Sequence, residues 1–123
     1  MIKKIDHFVI TTAYLSDSII FYGKLGFQTR NAGARFEYFA GDFKINVHLK
    51  GLELEPKAKH VQTGSADLCF ELDCSLEECK RTLAEKGLKI ELDESVRHGV
   101  RGEMKSIYLR DPDGNLIELC CYE

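Results

Sequence analysis

Two stretches of this 123-residue chain run through the same order of elements, and that repeat limits the folds open to it. In residues 5–10 (IDHFVI), Phe8 and Ile10 share one face of a strand while Ile5, His7 and Val9 share the other. Leu15, Ile19, Tyr22 and Leu25 then recur at helical spacing, and Gly26 stops the helix. Residues 35–39 read as a second strand and Gly41-Asp42 as a turn. Phe43–Leu49 reads as a third strand, in which Ile45, Val47 and Leu49 alternate with Lys44, Asn46 and His48. Residues 51–65 form a polar connector without a period, holding Pro56 and Gly64.

The order then restarts. Residues 67–72 (DLCFEL) read as a strand. Ser75-Leu76-Glu77-Glu78 is a capping box, and Leu76, Cys79 and Leu83 form the buried stripe of a helix that Gly87 ends. Residues 89–92 are expected as a short strand and residues 97–102 (RHGVRG) as a loop. Residues 106–119 close the repeat as a hairpin. In Asp111-Pro112-Asp113-Gly114, Pro stands at the second position of a type I turn and Gly at its end. Pairing Arg110 with Leu116 sets Tyr108 across from Glu118, with Ser106 on the same surface.

Laid over one another, the halves match His7 with Asp67 and His48 with Glu118. A unit of about 55 residues buries too little surface to stand alone, so the two are expected to pair. The first module is placed at about 1–51, the connector at about 52–65 and the second module at about 66–123. The fold class is α+β: two βαβββ modules in a mixed, largely antiparallel sheet.

The charge of −3, from 17 basic against 20 acidic residues, gives no reason to expect a nucleic-acid surface. No apolar run approaches the ~20 residues that cross a bilayer, and MIKKIDHF lacks the apolar stretch of a signal peptide. A cytoplasmic protein is expected. The five cysteines, an odd count without a CxxC pair, read as reduced thiols. Cys69, Cys79 and Cys120 are assigned to packing.

The aliphatic residues of each strand take one face. The other carries His7, His48 and Glu118, with Asp67 by correspondence, all metal-ligand types. Two imidazoles and one or two carboxylates around an open position describe a divalent cation acting as a Lewis acid. Singly, each of these residues is an ordinary strand residue. The signal lies in their equivalent positions.

DHFVITT and SDSIIFYGKLGF within residues 6–27, NVHL at 46–49 and YLRDPDGNLIEL at 108–119 resemble the vicinal oxygen chelate superfamily. That superfamily includes glyoxalase I, fosfomycin-resistance thiol transferases, bleomycin-resistance proteins and extradiol dioxygenases. INVHL and SADLCFEL look like its small branch of glyoxalase-domain-containing or virulence-associated proteins. The resemblance implies paired βαβββ modules forming an open, U-shaped sheet about a metal. It also implies a homodimer that can exchange modules. Its ligands would be His7, His48 and Glu118, with Asp67 standing where relatives usually carry His.

The expected function is that of a metal-dependent enzyme of glyoxalase type, with zinc, nickel, manganese or iron. It would act on a small molecule with neighbouring oxygens by lyase, isomerase or thiol-transfer chemistry. Glu118 would be the base, with Ser106, Tyr108 and Arg101 contacting substrate. A drug-sequestering protein of bleomycin-resistance type is the alternative, and an iron-dependent dioxygenase the third reading.

Overall fold

In the computed structural model, which describes residues 1–122, the chain runs β1 (His7–Thr12), α1 (Leu15–Lys24), β2 (Gln28–Asn31), β3 (Phe36–Ala40) and β4 (Phe43–Leu49). It continues with β5 (Asp67–Glu71), α2 (Leu76–Glu85), β6 (Leu92–Gly99), β7 (Gly102–Arg110) and β8 (Leu116–Cys121). Each half is βαβββ, as the repeat requires. Each builds its own four-stranded mixed sheet, ordered β1-β4-β3-β2 and β5-β8-β7-β6. In both, the first strand runs parallel to the last and the other pairings are antiparallel. A parallel pair needs a crossover, which α1 or α2 begins.

The first unit takes Met1–Ala66 together with Pro112–Gly114. Its core is aromatic. Tyr22 from α1 and Tyr38 from β3 are both fully buried and stack 5.0 Å apart, with Phe21 and Phe27 edge-on to Tyr22. Ile45 and Val47 supply the aliphatic face of β4, as their alternation demands. The Tyr38 hydroxyl is satisfied in this apolar setting by the Ser18 hydroxyl, 2.7 Å away. Tyr38→Phe leaves the Ser18 hydroxyl buried without that partner. It should lower unfolding free energy by about 1–2 kcal/mol, read from urea denaturation.

Pro112–Gly114 completes this unit through Asp113. Its carboxylate accepts from the Ala13 backbone N–H at 2.8 Å and from the Thr12 hydroxyl at 2.5 Å. Gly64, at φ +74°, passes close to the Asp113 carbonyl oxygen. A Cβ built on Gly64 would sit 2.3 Å from that oxygen.

The second unit takes Asp67–Asp111 and the chain from Asn115 onward. Ile107, Leu109, Ile117 and Leu119 of the hairpin are buried, as are Leu76, Cys79 and Leu83 of α2. The Ser75 side chain caps α2 by accepting from the Glu78 N–H at 3.1 Å. Asp111 N–H donates to the Asn115 carbonyl, and Asn115 returns two hydrogen bonds to the Asp111 carboxylate at 2.9 and 2.7 Å. That closure sets the pairing Arg110↔Leu116 and Tyr108↔Glu118 expected from the sequence.

Two expectations are corrected. Residues 97–102 are not a loop: Arg97 and His98 belong to β6 and pair with Met104 and Glu103, leaving only a tight turn before Gly102. The short strand expected at 89–92 begins only at Leu92 and continues to Gly99. β6 is an edge strand with most side chains in solvent, so it carries no alternation of apolar residues to read. β2 (QTRN), exposed at every position, was illegible for the same reason.

Candidate functional site

Glu118 lies on the polar face of β8, at a cleft of about 630 Å³ in the second unit. Cys69 and Cys120 line this cleft beside it, with His98, Arg101 and Tyr122. Strand pairing fixes the neighbours of the carboxylate. Cys69 stands across the parallel ladder and Tyr108 across the antiparallel one. Ser106, fully buried, donates its hydroxyl to Glu118 Oε2 at 2.6 Å. Arg97 donates from Nε to the Tyr108 hydroxyl at 2.7 Å, and its guanidinium lies 5.3 Å from that ring's centroid. The surface of Ser106, Tyr108 and Glu118 read from the sequence is therefore assembled. Arg97, assigned to a loop by sequence, joins it.

Arg101 is at the same cleft but is already engaged. Its two terminal nitrogens reach the Glu71 carboxylate at 3.2 and 2.7 Å, and its guanidinium covers the Tyr122 ring at 4.1 Å. An anionic substrate would have to compete with Glu71 for it. The Cys69 and Cys120 thiols are pushed up by burial, so both are neutral near pH 7. Core or cleft packing is the sequence expectation for both, and they line the cleft. The alternation of β5 and β8 puts them on the face of Glu118.

Asp67 shares that face but pairs with Leu116, two residues down the ladder from Glu118. His7 opens β1 half exposed, with Nδ1 held by the Asp6 carboxylate at 2.7 Å. His48 is buried on β4. In the parallel register His7 stands beside Lys44 and His48 beside Thr11. Four residues, about 13 Å of strand, separate the two imidazoles along the sheet.

The register also corrects the correspondence of the halves. His7↔Lys44 and Asp67↔Leu116 open the two parallel ladders. Two residues on stand Asn46 and Glu118; four residues on stand His48 and Cys120. The counterpart of Glu118 is Asn46, not His48. Spacing along the chain does not fix parallel register, because the crossover between the strands absorbs any offset. Asn46 is 4% exposed, and its Oδ1 has no hydrogen-bond partner among the described residues. Among the described residues, no group of three or more His, Cys, Asp or Glu side chains is placed to hold a metal ion. The set His7, His48, Asp67 and Glu118 thus does not fit a single cation within either unit.

The polar face of the first sheet is an ionic network. Glu37 on β3 is buried and accepts from Lys44 Nζ at 2.5 Å and from an Arg35 terminal nitrogen at 3.1 Å. The Lys44 hydrogen bond first, and Arg35 with it, hold the Glu37 carboxyl below its ordinary 4.5. A depressed carboxyl favours the folded state above the unfolded value and loses that contribution as pH falls through the folded one. Urea midpoints should therefore fall as pH drops below about 4.5. Glu37→Gln should flatten that limb of the profile.

The model of the Glyoxalase/Bleomycin resistance protein/Dioxygenase superfamily matches residues 4–119. Glyoxalase domain-containing protein RDO1 of Mycosarcoma maydis is 42% identical over 123 residues, covering 99% of this chain and 70% of that protein. The crystal structure of Virulence protein STM3117 from Salmonella typhimurium is 40% identical, with a TM-score of 0.96 over 100% of this chain and 99% of the other. Lactoylglutathione lyase from Agrobacterium tumefaciens, at 19% identity, shares the fold with a TM-score of 0.74 over 98% of this chain and 94% of its own. From the matched span and the repeated βαβββ units alike, the chain belongs to the glyoxalase/bleomycin resistance/dioxygenase superfamily.

Proposed function

We propose that this protein is an enzyme of glyoxalase type. A small molecule with neighbouring oxygens enters the second unit's cleft, and Glu118 takes a proton from one of the two carbons that bear them and returns it to the other. One observation carries the reading: Glu118 faces a cleft of small-molecule size while Ser106 holds its Oε2 at 2.6 Å. That bond, with the Cys69 thiol and the Tyr108 hydroxyl also hydrogen-bonded to the carboxylate, supplies the pre-orientation general base catalysis needs. The Tyr108 hydroxyl accepts from Arg97 and is itself hydrogen-bonded to Glu118, so it turns its proton to a developing oxyanion once substrate displaces that contact. The likeness to a lactoylglutathione lyase makes the hemithioacetal of a 2-oxoaldehyde and a thiol the first substrate to try.

No step here passes through a metal, because His7 and His48 stand apart in register. That separation also favours the second reading, a protein that sequesters its ligand without chemistry. The purified protein, loaded in turn with zinc, nickel, manganese and iron, is assayed with the glutathione hemithioacetal of methylglyoxal and with an epoxide plus thiol. Turnover in any arm, lost in Glu118→Gln, supports the enzyme. Saturable ligand binding by calorimetry without turnover in every arm overturns it in favour of the binding protein.

A further inference from the structure

Cys69 is the one exposed cysteine among the described residues. Along β5, Asp67, Cys69 and Glu71 share one face and are exposed, while Leu68 and Phe70 take the other. In the parallel ladder Cys69 stands directly across from Glu118, on strands about 4.8 Å apart, and both line the cleft of about 630 Å³. Its thiol is hydrogen-bonded to the Glu118 carboxylate and to Cys120. A nucleophile and a base therefore share one wall of the cleft. The base is oriented in turn by a third group, the Ser106 hydroxyl, 2.6 Å from Glu118 Oε2.

The thiol is not held as a thiolate. The protein around it first, then Cys120 and Glu118, push it up. A neutral thiol attacks a carbonyl where an adjacent base takes its proton in the same step, and Glu118 is in contact to do so. We propose that Cys69 is a covalent catalyst: its sulfur bonds the aldehyde carbon of a 2-oxoaldehyde, so that the protein itself supplies the thiol of the hemithioacetal. The inference rests on the proton-transfer role proposed for Glu118. In the first step the S–C bond forms as the carbon–oxygen double bond opens. The thiol proton passes to Glu118 and on to the aldehyde oxygen, which leaves Glu118 ionised again. Glu118 next takes the hydrogen of that carbon as a proton and returns it to the neighbouring carbon, while the proton of the new hydroxyl moves to the second oxygen. The product is a thioester of a 2-hydroxy acid on Cys69. Water then adds to the thioester carbon, the C–S bond breaks and the sulfur regains a proton. The sum is 2-oxoaldehyde plus water to 2-hydroxy acid, with no added thiol and no outside oxidant. Each addition puts negative charge on an oxygen, which the Tyr108 hydroxyl, across the ladder from Glu118, is placed to meet.

The test is turnover of methylglyoxal to lactate by the purified chain in thiol-free buffer, beside the same reaction with glutathione. The parent should form lactate without added thiol. Cys69→Ser should lose that activity by about 10³-fold or more and recover turnover when glutathione is supplied, since the added thiol replaces the missing one. Cys69→Ala repeats the comparison without a hydroxyl that could attack in its place. Glu118→Gln should be inactive in both conditions. Parent protein quenched in acid during turnover should carry the mass of one methylglyoxal on the peptide that holds Cys69. Neutral hydroxylamine should remove it, because it cleaves a thioester and spares arginine and lysine adducts. Turnover only with glutathione, at equal rates in the parent and Cys69→Ser, overturns the covalent step and leaves Glu118 as the base. No turnover in either condition overturns the covalent step together with that reading for 2-oxoaldehydes. Thiol-free turnover that survives in both Cys69 variants, or adducts confined to other peptides, overturns the covalent step as well.

Discussion

Replacing Glu118 by Gln should reduce turnover on the best substrate by about 10²–10⁴-fold, the usual contribution of a positioned general base. The urea midpoint should barely move. Gln keeps the volume and one carbonyl oxygen, so the Ser106 hydroxyl retains an acceptor at the place where it now meets Oε2. What is lost is the basic oxygen. Steady-state kinetics beside denaturation curves separate the two effects. A fall in turnover that tracked a fall in stability would make Glu118 a structural residue. Unchanged turnover in a stable variant would end its assignment as the base.

Gly64→Ala should lower unfolding free energy by about 3 kcal/mol or more. Two costs add. A Cβ at φ +74° is strained by about 1–2 kcal/mol. That same Cβ would stand 2.3 Å from the Asp113 carbonyl oxygen, a backbone atom that can withdraw only by disturbing the turn. Gly41→Ala separates the costs, since Gly41 also has positive φ, +53°, but open space where its Cβ would go. It should lose only about 1 kcal/mol. Equal losses in the two variants, measured by urea unfolding, would show that Asp113 yields freely.

The fold was legible wherever apolar residues alternate. β4 is bounded at Phe43 and Leu49, as its pattern dictates, and α2 starts at the Ser75 cap. The turn chemistry located the hairpin and left its register conditional on Arg110 facing Leu116; the Asp111–Asn115 hydrogen bonds close the loop in that register and place Tyr108 across from Glu118. β2 and β6 were not legible as they stand: at an edge in solvent, no apolar side chain needs a particular face. In the site, Glu118, Ser106 and Tyr108 were found because one antiparallel hairpin carries them all. His48 was matched to Glu118 instead of Cys120 because a helix and two further strands separate β1 from β4. Asn46 was in view, alternating with the aliphatics of β4. Asn46 and His48 share one face of β4, and alternation alone does not tell which of the two answers Glu118.

Asp113 has a consequence for the order of synthesis. A chain leaving the ribosome presents every strand of the first sheet by Leu49, yet the carboxylate that joins Thr12 and Ala13 emerges more than sixty residues later. Until then the nascent first unit must wait with that loop unsealed and Gly64 facing nothing. Its last fastening arrives with the hairpin that completes the second sheet, so both halves reach their final form at nearly the same moment of translation. A fragment ending at Ala66 should consequently open more readily at the β1–α1 loop than the same residues in the whole protein, which amide exchange at Ala13 and Tyr14 would register.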